Sequence, residues 1–398
     1  MTPLGLYIHI PWCVTRCIYC DFNTYIDGSG ALRAAYHAAL RQEIAESARA
    51  LDHPPLSTIF FGGGTPTTLP AEWLAEIVET VRANFALAPE AEITTEANPG
   101  TLTVDYLRTL RAGGVNRLSL GVQSFDDREL HLLSRLHDSQ SARDAVRMAR
   151  AAGFENLSLD LIFNLPGQTL AQWQYTLQAA IALDPDHLSV YSLIVEPGTP
   201  LQRLVGRGEL ATPDDDLAAA MYEESMTTLG EAGYSHYEIS NWARRGPERD
   251  WESPALASAH NLIYWRNQPY LGVGAGAVST VNGQRWTNVK RPHRYIQCIA
   301  EGQGLALARE PRSAETLDDA MALTEQVMLG LRLLREGLSA HTLQQRFGID
   351  LAQRYANAIM QGEARGLLQW IPTPTDPRLR LTRQGRFLAN QATLLFFE

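Results

Sequence analysis

The first 235 residues repeat one pattern six times: a short β-branched or aromatic run, then a longer stretch with apolar residues three and four positions apart. The short runs are LYIHI (6–10), STIFF (57–61), EITTEA (92–97), RLSLGVQ (117–123), LSLDLIF (157–163) and HLSVYSL (187–193). Each is bounded by Gly, Pro or Asn, as strands are. The stretches 31–51, 70–85, 103–112, 140–152, 169–183 and 214–232 carry the period of amphipathic helices. Six βα units in succession predict a parallel sheet with right-handed crossovers, either a partial or complete barrel or a doubly wound sheet. In each case the loops after the carboxyl ends of the strands gather on one face and form the site. The unusual residues fall there. Three cysteines follow strand one, Gly62–Gly64 follow strand two, Glu96 and Asn98 end strand three, Gln123 ends strand four, and Asp160 lies within strand five, ahead of Asn164–Pro166.

After residue 235 the rhythm changes. Residues 236–295 are rich in Trp, Tyr, His, Asn and Gly, and 302–318 read as a linker. From 319 onward two or three helices precede LLQWIPT and LRLTRQG, a pair of runs suited to a hairpin, which together suggest a small winged-helix-like α+β module. The expected divisions are 1–235 for the βα array, 236–310 for a connecting region and 311–398 for the terminal module.

Charge narrows the function. Lys and Arg total 34 against 44 Asp and Glu, a net charge of −10. A surface of that sign is not built to neutralise phosphates, which argues against nucleic-acid binding and against standing attachment to anionic lipid. The segment MTPLGLYIHIPWC lacks the parts of a signal peptide, and no stretch has the roughly 20 apolar residues of a membrane span, so a cytoplasmic location is expected.

Four cysteines are too few for a disulfide scaffold, and three of them, Cys13, Cys17 and Cys20, fall in one loop with CxxxCxxC spacing. Thiolates so spaced can wrap one compact metal centre. An iron–sulfur cube held by three of them keeps one iron free for another ligand. A structural zinc site requires a fourth ligand, for which Asp21, His9 or a distant residue would serve. The spacing leaves both open, as well as simple burial.

The cysteine loop after a first strand, with Phe61-Gly-Gly-Gly-Thr-Pro66 after the second, resembles the radical S-adenosylmethionine (SAM) superfamily. The resemblance implies a partial (β/α)6 TIM-like barrel and a [4Fe–4S] cluster on the three cysteines. It further implies SAM chelated at the open iron and cleaved to a 5′-deoxyadenosyl radical, with Tyr19 near the adenine. The set Tyr7-Ile-His-Ile-Pro-Trp-Cys13, GGGTP, Glu96, GVQSF and DLIFNLPGQ is similar to the oxygen-independent coproporphyrinogen dehydrogenase (HemN-like) family along essentially the whole chain. That family's SAM contacts fall here on Tyr7, Gly63, Gly64, Thr65, Glu96, Gln123, Arg135 and Asp160. Carboxylates suit an amino group or hydroxyls, and an arginine fork suits the SAM carboxylate.

Two departures separate the chain from the dehydrogenase. Phe22 stands where the enzyme typically has a further Cys, and the strand-one motif begins at residue 7, whereas the enzyme carries an arm ahead of it. His260-Asn261-Leu-Ile-Tyr264-Trp265 resembles the HNxxYW motif of the family's haem-chaperone branch. The resemblance implies haem as ligand, respiratory haemoproteins as acceptors, a flavodoxin- or ferredoxin-like electron donor, a cluster-dependent homodimer and at most transient contact with the membrane face. A neutral imidazole is a good axial haem ligand, while a capping His and Asn with a core Tyr and Trp is the plainer alternative. Coproporphyrinogen III dehydrogenation is the alternative function. Gly272-Val-Gly-Ala-Gly-Ala277 lacks the strand, helix and acidic residue of a dinucleotide fingerprint and is expected to pack closely beside the site. Cys298 stands alone and is expected to be a small buried residue.

Overall fold

The computed structural model describes residues 4–26, 28–302, 304–371 and 373–397. The predicted alternation is realised. Strands β1 (Leu4–Ile10), β2 (Pro55–Gly63), β3 (Ala86–Ala97), β4 (Arg117–Gln123), β5 (Asn156–Phe163) and β6 (His187–Ser192) hydrogen-bond to one another in sequence order. All five pairings are parallel. The crossovers are helices α1 (Gly30–Ala50), α2 (Ala71–Asn84), α3 (Val104–Ala112), α4 (Asp127–Leu132), α5 (Ser139–Ala151) and α6 (Leu170–Ile181). All but α2, which follows Pro70, start at a side-chain cap, as at Ser29 for α1 and the Thr169/Gln172 capping box for α6.

Contacts divide the chain into two units, Met1–Ser225 with Pro269–Glu315, and Met226–Gln268 with Thr316–Glu398. In the first, Tyr270–Val273 pairs in parallel with β1 and leads into a hairpin of Val278–Val281 and Gln284–Thr287. A returning strand thus occupies the free edge of β1, and the six-stranded array is a partial barrel, as expected for the superfamily. In the second, the expected terminal hairpin is present. Leu368–Ile371 pairs antiparallel with Arg378–Leu381, which also pairs with Leu338–Ser339. The helices before it, including Asp319–Gly330 and Ala356–Ala364, share a core with these strands, among them Val327, Leu331, Ile359, Leu368 and Leu379.

The two faces of the barrel strands differ sharply. Leu6, Ile8, Ile59, Phe61, Leu118, Leu120, Leu157, Leu159 and Leu188 are fully buried on the outer, helix-facing side. Each such side chain stabilises the fold by roughly 1.5–3 kcal/mol. The alternate positions carry Tyr7, Thr94, Glu96, Arg117, Ser119, Ser158, Asp160, His187 and Ser189. An ordinary barrel fills that side with branched apolar residues. Here polar groups line it, and the site is built on them. Among the described residues no helix is long and apolar enough to cross a membrane.

Candidate metal and cofactor site

The cysteine loop leaves β1 at Pro11 and closes on itself at Tyr25. Tyr25 N donates to Pro11 O at 2.7 Å and Cys13 N to Tyr25 O at 3.0 Å. Ile18 and Tyr19 anchor its middle on an apolar cluster that includes Leu133, Ile162, Leu165 and Leu201. Tyr19 therefore packs into the protein, and burial raises its phenol well above the usual value.

Burial raises the thiols of Cys13 and Cys20, and the charge of Cys17 adds to both shifts. Three thiolates held this close repel one another until a cation neutralises them, which is the donor set of a metal centre. Among the described residues no three His, Cys, Asp or Glu side chains are gathered tightly enough to close on one ion. A four-iron cube does not ask for that, because its thiolates bind different irons. His9, weighed as a fourth zinc ligand, is already engaged. Its Nε2 lies 3.0 Å from Asn23 O and its Nδ1 3.0 Å from Tyr7 Oη. Since a carbonyl only accepts, Nε2 carries the proton and Nδ1 accepts from the tyrosine. Asp21 is exposed. The residues fit a cube held by three thiolates better than closed tetrahedral zinc.

Arg135 ties the cysteine loop to strands three and four. Nη1 donates to Cys17 Sγ at 3.4 Å, and Nη2 donates to Asn98 Oδ1 at 2.5 Å and Gly121 O at 2.6 Å. Asn98 Nδ2 in turn donates to Thr65 Oγ1 at 2.9 Å, whose hydroxyl lies 3.8 Å from Cys13 Sγ. The buried Arg135 Nε has no hydrogen-bond partner among the protein's own groups. Asn98 holds this relay together. Its position at the end of strand three marked it only as near the site.

The strand-two glycines press against the first strand and its loop. Gly64 N donates to Ile10 O and Thr65 N to Trp12 O, each at 2.8 Å. Gly63 has φ +110°, and a Cβ there would lie 2.4 Å from His9 Cε1, whose ring is tethered at both nitrogens. A Cβ on Gly64 would lie 2.6 Å from Trp12 O. These glycines are thus required by the protein's own packing, whatever else they meet.

Glu96 and Asp160 are both half-buried on the polar side. Glu96 Oε2 accepts from Gly63 N at 3.3 Å, and Asp160 Oδ1 accepts from Ser119 Oγ at 3.0 Å, with Ser189 a further donor to it. Burial, reinforced by the charge of Asp160, pushes Glu96 up to about 8, against the pull of Gly63 N and Arg117. Burial raises Asp160 too, opposed by its serines, Arg117 and Arg135. Arg117 and Arg135 offset the two carboxylates only in part, so a ligand bearing an ammonium and a sulfonium suits the site. Arg117, Ser119 and Ser189 escaped recognition as site residues. The signal was their position on the same strand face as Asp160, visible only once the polar face proved to be interior. Gln123 ends β4 with φ +70°, buried.

His260, Asn261, Tyr264 and Trp265 lie in the second unit on helix Ala259–Trp265, capped by Ser258. His260 is 1% exposed, and its Nε2 lies 2.9 Å from Tyr264 Oη. Arg332 stacks over the Trp265 ring at 4.4 Å. Cys298, expected to be buried, is half-buried on helix Pro292–Glu301.

Comparison with known proteins places this geometry. The radical SAM superfamily model matches residues 7–180, and the HemN C-terminal domain model matches 317–388. The chain is 40% identical to heme chaperone HemW of Mycobacterium tuberculosis over 98% of its own length and 93% of that protein's. It is 38% identical to heme chaperone HemW of Bacillus subtilis over 97% of both. The solved structure of coproporphyrinogen III oxidase (HemN) from Escherichia coli, a radical SAM enzyme, superposes with a TM-score of 0.80 at 27% identity, over 99% of this chain and 90% of that one. With a polar partial barrel, a three-cysteine loop and end-to-end similarity of this degree, the chain belongs to the HemW family within the radical SAM superfamily.

Proposed function

We propose that this protein binds haem and hands it to acceptor haemoproteins, and that Cys13, Cys17 and Cys20 hold a [4Fe–4S] cluster with SAM at its open iron. The observation that carries the reading is the similarity to two haem chaperones along nearly the whole of each chain. In the first unit, Tyr7, Tyr19, Gly63, Gly64, Thr65, Glu96, Gln123, Arg135 and Asp160 are proposed to surround SAM. Glu96 and Asp160 supply acceptors for its cationic groups, and Arg135 offers its unpartnered Nε. The cluster supplies one electron at low potential; the protein's part is to hold the thiolates and exclude water.

Haem contact is proposed at His260, Asn261, Tyr264 and Trp265. Iron ligation through His260 Nε2 requires its contact with Tyr264 to open, since the imidazole is buried and that nitrogen engaged. Respiratory haemoproteins as acceptors, a flavodoxin- or ferredoxin-like donor and a cluster-dependent homodimer belong to the same proposal, in the cytoplasm.

A second reading, oxidative decarboxylation of coproporphyrinogen III, is favoured by the likeness to HemN along the chain. Phe22, in place of the enzyme's further cysteine, weighs against it. One experiment separates the two. Anaerobically reconstituted protein and its His260→Ala variant are titrated with haem, and coproporphyrinogen III turnover is followed on the same samples. Stoichiometric haem binding without turnover, with a displaced Soret band in the variant, is expected. An unaltered Soret band and affinity in the variant would place the iron ligand elsewhere. Turnover with weak haem binding would favour the enzyme.

A further inference from the structure

The run Gly272–Ala277 has an occupant from its own chain. Asn23 Nδ2 donates to Ala275 O and to Lys290 O, both at 3.0 Å. Gly276 has φ +81°, and a Cβ there would lie 2.6 Å from Asn23 Nδ2. Gly274 has φ +99°, and its Cβ would lie 2.6 Å from His9 O. Two glycines in the left-handed region thus let the turn close around one asparagine and the end of β1. Tyr25 Oη adds a bond to Lys290 O at 3.2 Å.

The turn is itself braced. Glu43 of α1 accepts from Gly274 N at 2.8 Å, Asn288 Nδ2 at 2.8 Å and Tyr295 Oη at 2.6 Å. Tyr36 donates to His9 O at 2.9 Å and accepts from Ala275 N at 2.8 Å. His9 Nε2 completes the circuit by donating to Asn23 O. Every group in it belongs to the first unit.

We infer that the Gly274–Gly276 turn, some 250 residues beyond the cysteines, is a seat for Asn23 that positions the carboxyl-terminal half of the cysteine loop, and with it Cys20. The loop's other half is tied to β1 and to Thr65. Between Cys20 and Tyr25, by contrast, Asn23 is anchored through side chain and backbone at once. Asn23 acts as a positioning residue, its side-chain amide committed to Ala275 O and Lys290 O. The inference rests on the proposal that the cysteines hold a cluster.

The test pairs two readouts on full-length protein. Trypsin cleavage after the exposed Arg16, whose Nη2 donates to Cys20 O at 3.3 Å and so reports on the loop's carboxyl-terminal half, is timed in metal-free samples. Loss of iron to a chelator is timed in anaerobically reconstituted ones. Asn23→Ala removes both side-chain bonds, and each process is expected to accelerate about tenfold, with cleavage elsewhere unchanged. Tyr25→Phe, which removes one bond without opening space, is expected to accelerate each about threefold, and serves if Asn23→Ala does not fold. Rates equal to wild type in both assays overturn the inference. So does faster cleavage with unchanged iron loss, because the seat would then order the loop without positioning its ligands. If wild-type protein takes up no iron, the cluster proposal falls, and the cleavage rates alone decide whether the seat orders the loop.

Discussion

Alanine at any one of Cys13, Cys17 or Cys20 is expected to reduce iron and sulfide incorporation from about four of each per chain to near zero. The four-per-chain figure is that of one cube. Three thiolates are the fewest that leave a cube one open iron, and losing one leaves two irons without protein ligands. Structural metal sites couple so strongly to their ligand sets that partial sets fail to hold the metal. Cys298→Ser, on helix Pro292–Glu301, is the control and should leave incorporation unchanged. Iron and sulfide analysis after anaerobic reconstitution, with the electron paramagnetic resonance of the reduced cluster, reads the result. Full incorporation in a Cys17→Ala sample would move the cluster away from this loop.

The second large effect is a pH dependence. Glu96 sits at about 8 in the folded protein, raised chiefly by burial, against about 4.5 when exposed. Glu43 sits at about 7 for the same cause. A carboxyl whose folded pKa is raised binds more protons folded than unfolded between the two values, so stability falls as pH rises through that window. Ligand-free protein is therefore expected to lose stability on the order of 1 kcal/mol per pH unit for each group, between about pH 5 and 7 for both and up to about 8 for Glu96 alone. Glu96→Gln keeps an acceptor for Gly63 N and should flatten the upper part of this slope. A bound cation reverses the balance by favouring the carboxylate. SAM affinity should therefore rise with pH toward 8, with a proton released on binding at neutrality. Urea melts at pH 5, 6.5 and 8, with calorimetry of SAM binding in two buffers, measure both effects. A pH-independent affinity that Glu96→Gln does not change would remove Glu96 from the SAM site.

Much of the fold was written in local pattern. Runs such as RLSLGVQ and the LSLDL of strand five alternate polar and apolar residues and lie between amphipathic helices, so six βα units and their common site face were legible. The pairing of Tyr270–Val273 with β1 was not. Its GVGAG context has few β-branched residues, and its strand character comes from a partner some 260 positions away. The cysteines were legible because metal ligation imposes spacing on a single loop. Arg117, Ser119 and Ser189 were not, and Asn98 was legible as near the site but not as the link to Arg135, because each is a common residue whose role arises from packing against Arg135, Glu96 or Asp160. Asn23 was missed for the same reason, since its partners lie beyond residue 270. His260 illustrates the opposite case. Its motif stood out, but only the structure shows the ring buried against Tyr264, and hence the opening that ligation would need.

Haem transfer tests the central claim most directly. Haem-loaded protein, cluster intact, is mixed anaerobically with an apo-haemoprotein of the respiratory type, and the acceptor's Soret band is followed in time against an equal concentration of free haem. The account predicts that the band appears at the expense of the donor's, and that a haem scavenger added with the acceptor does not intercept the transfer. Release of haem to the scavenger, with no acceptor band beyond that given by free haem, would show that the protein binds haem without delivering it and would contradict the account.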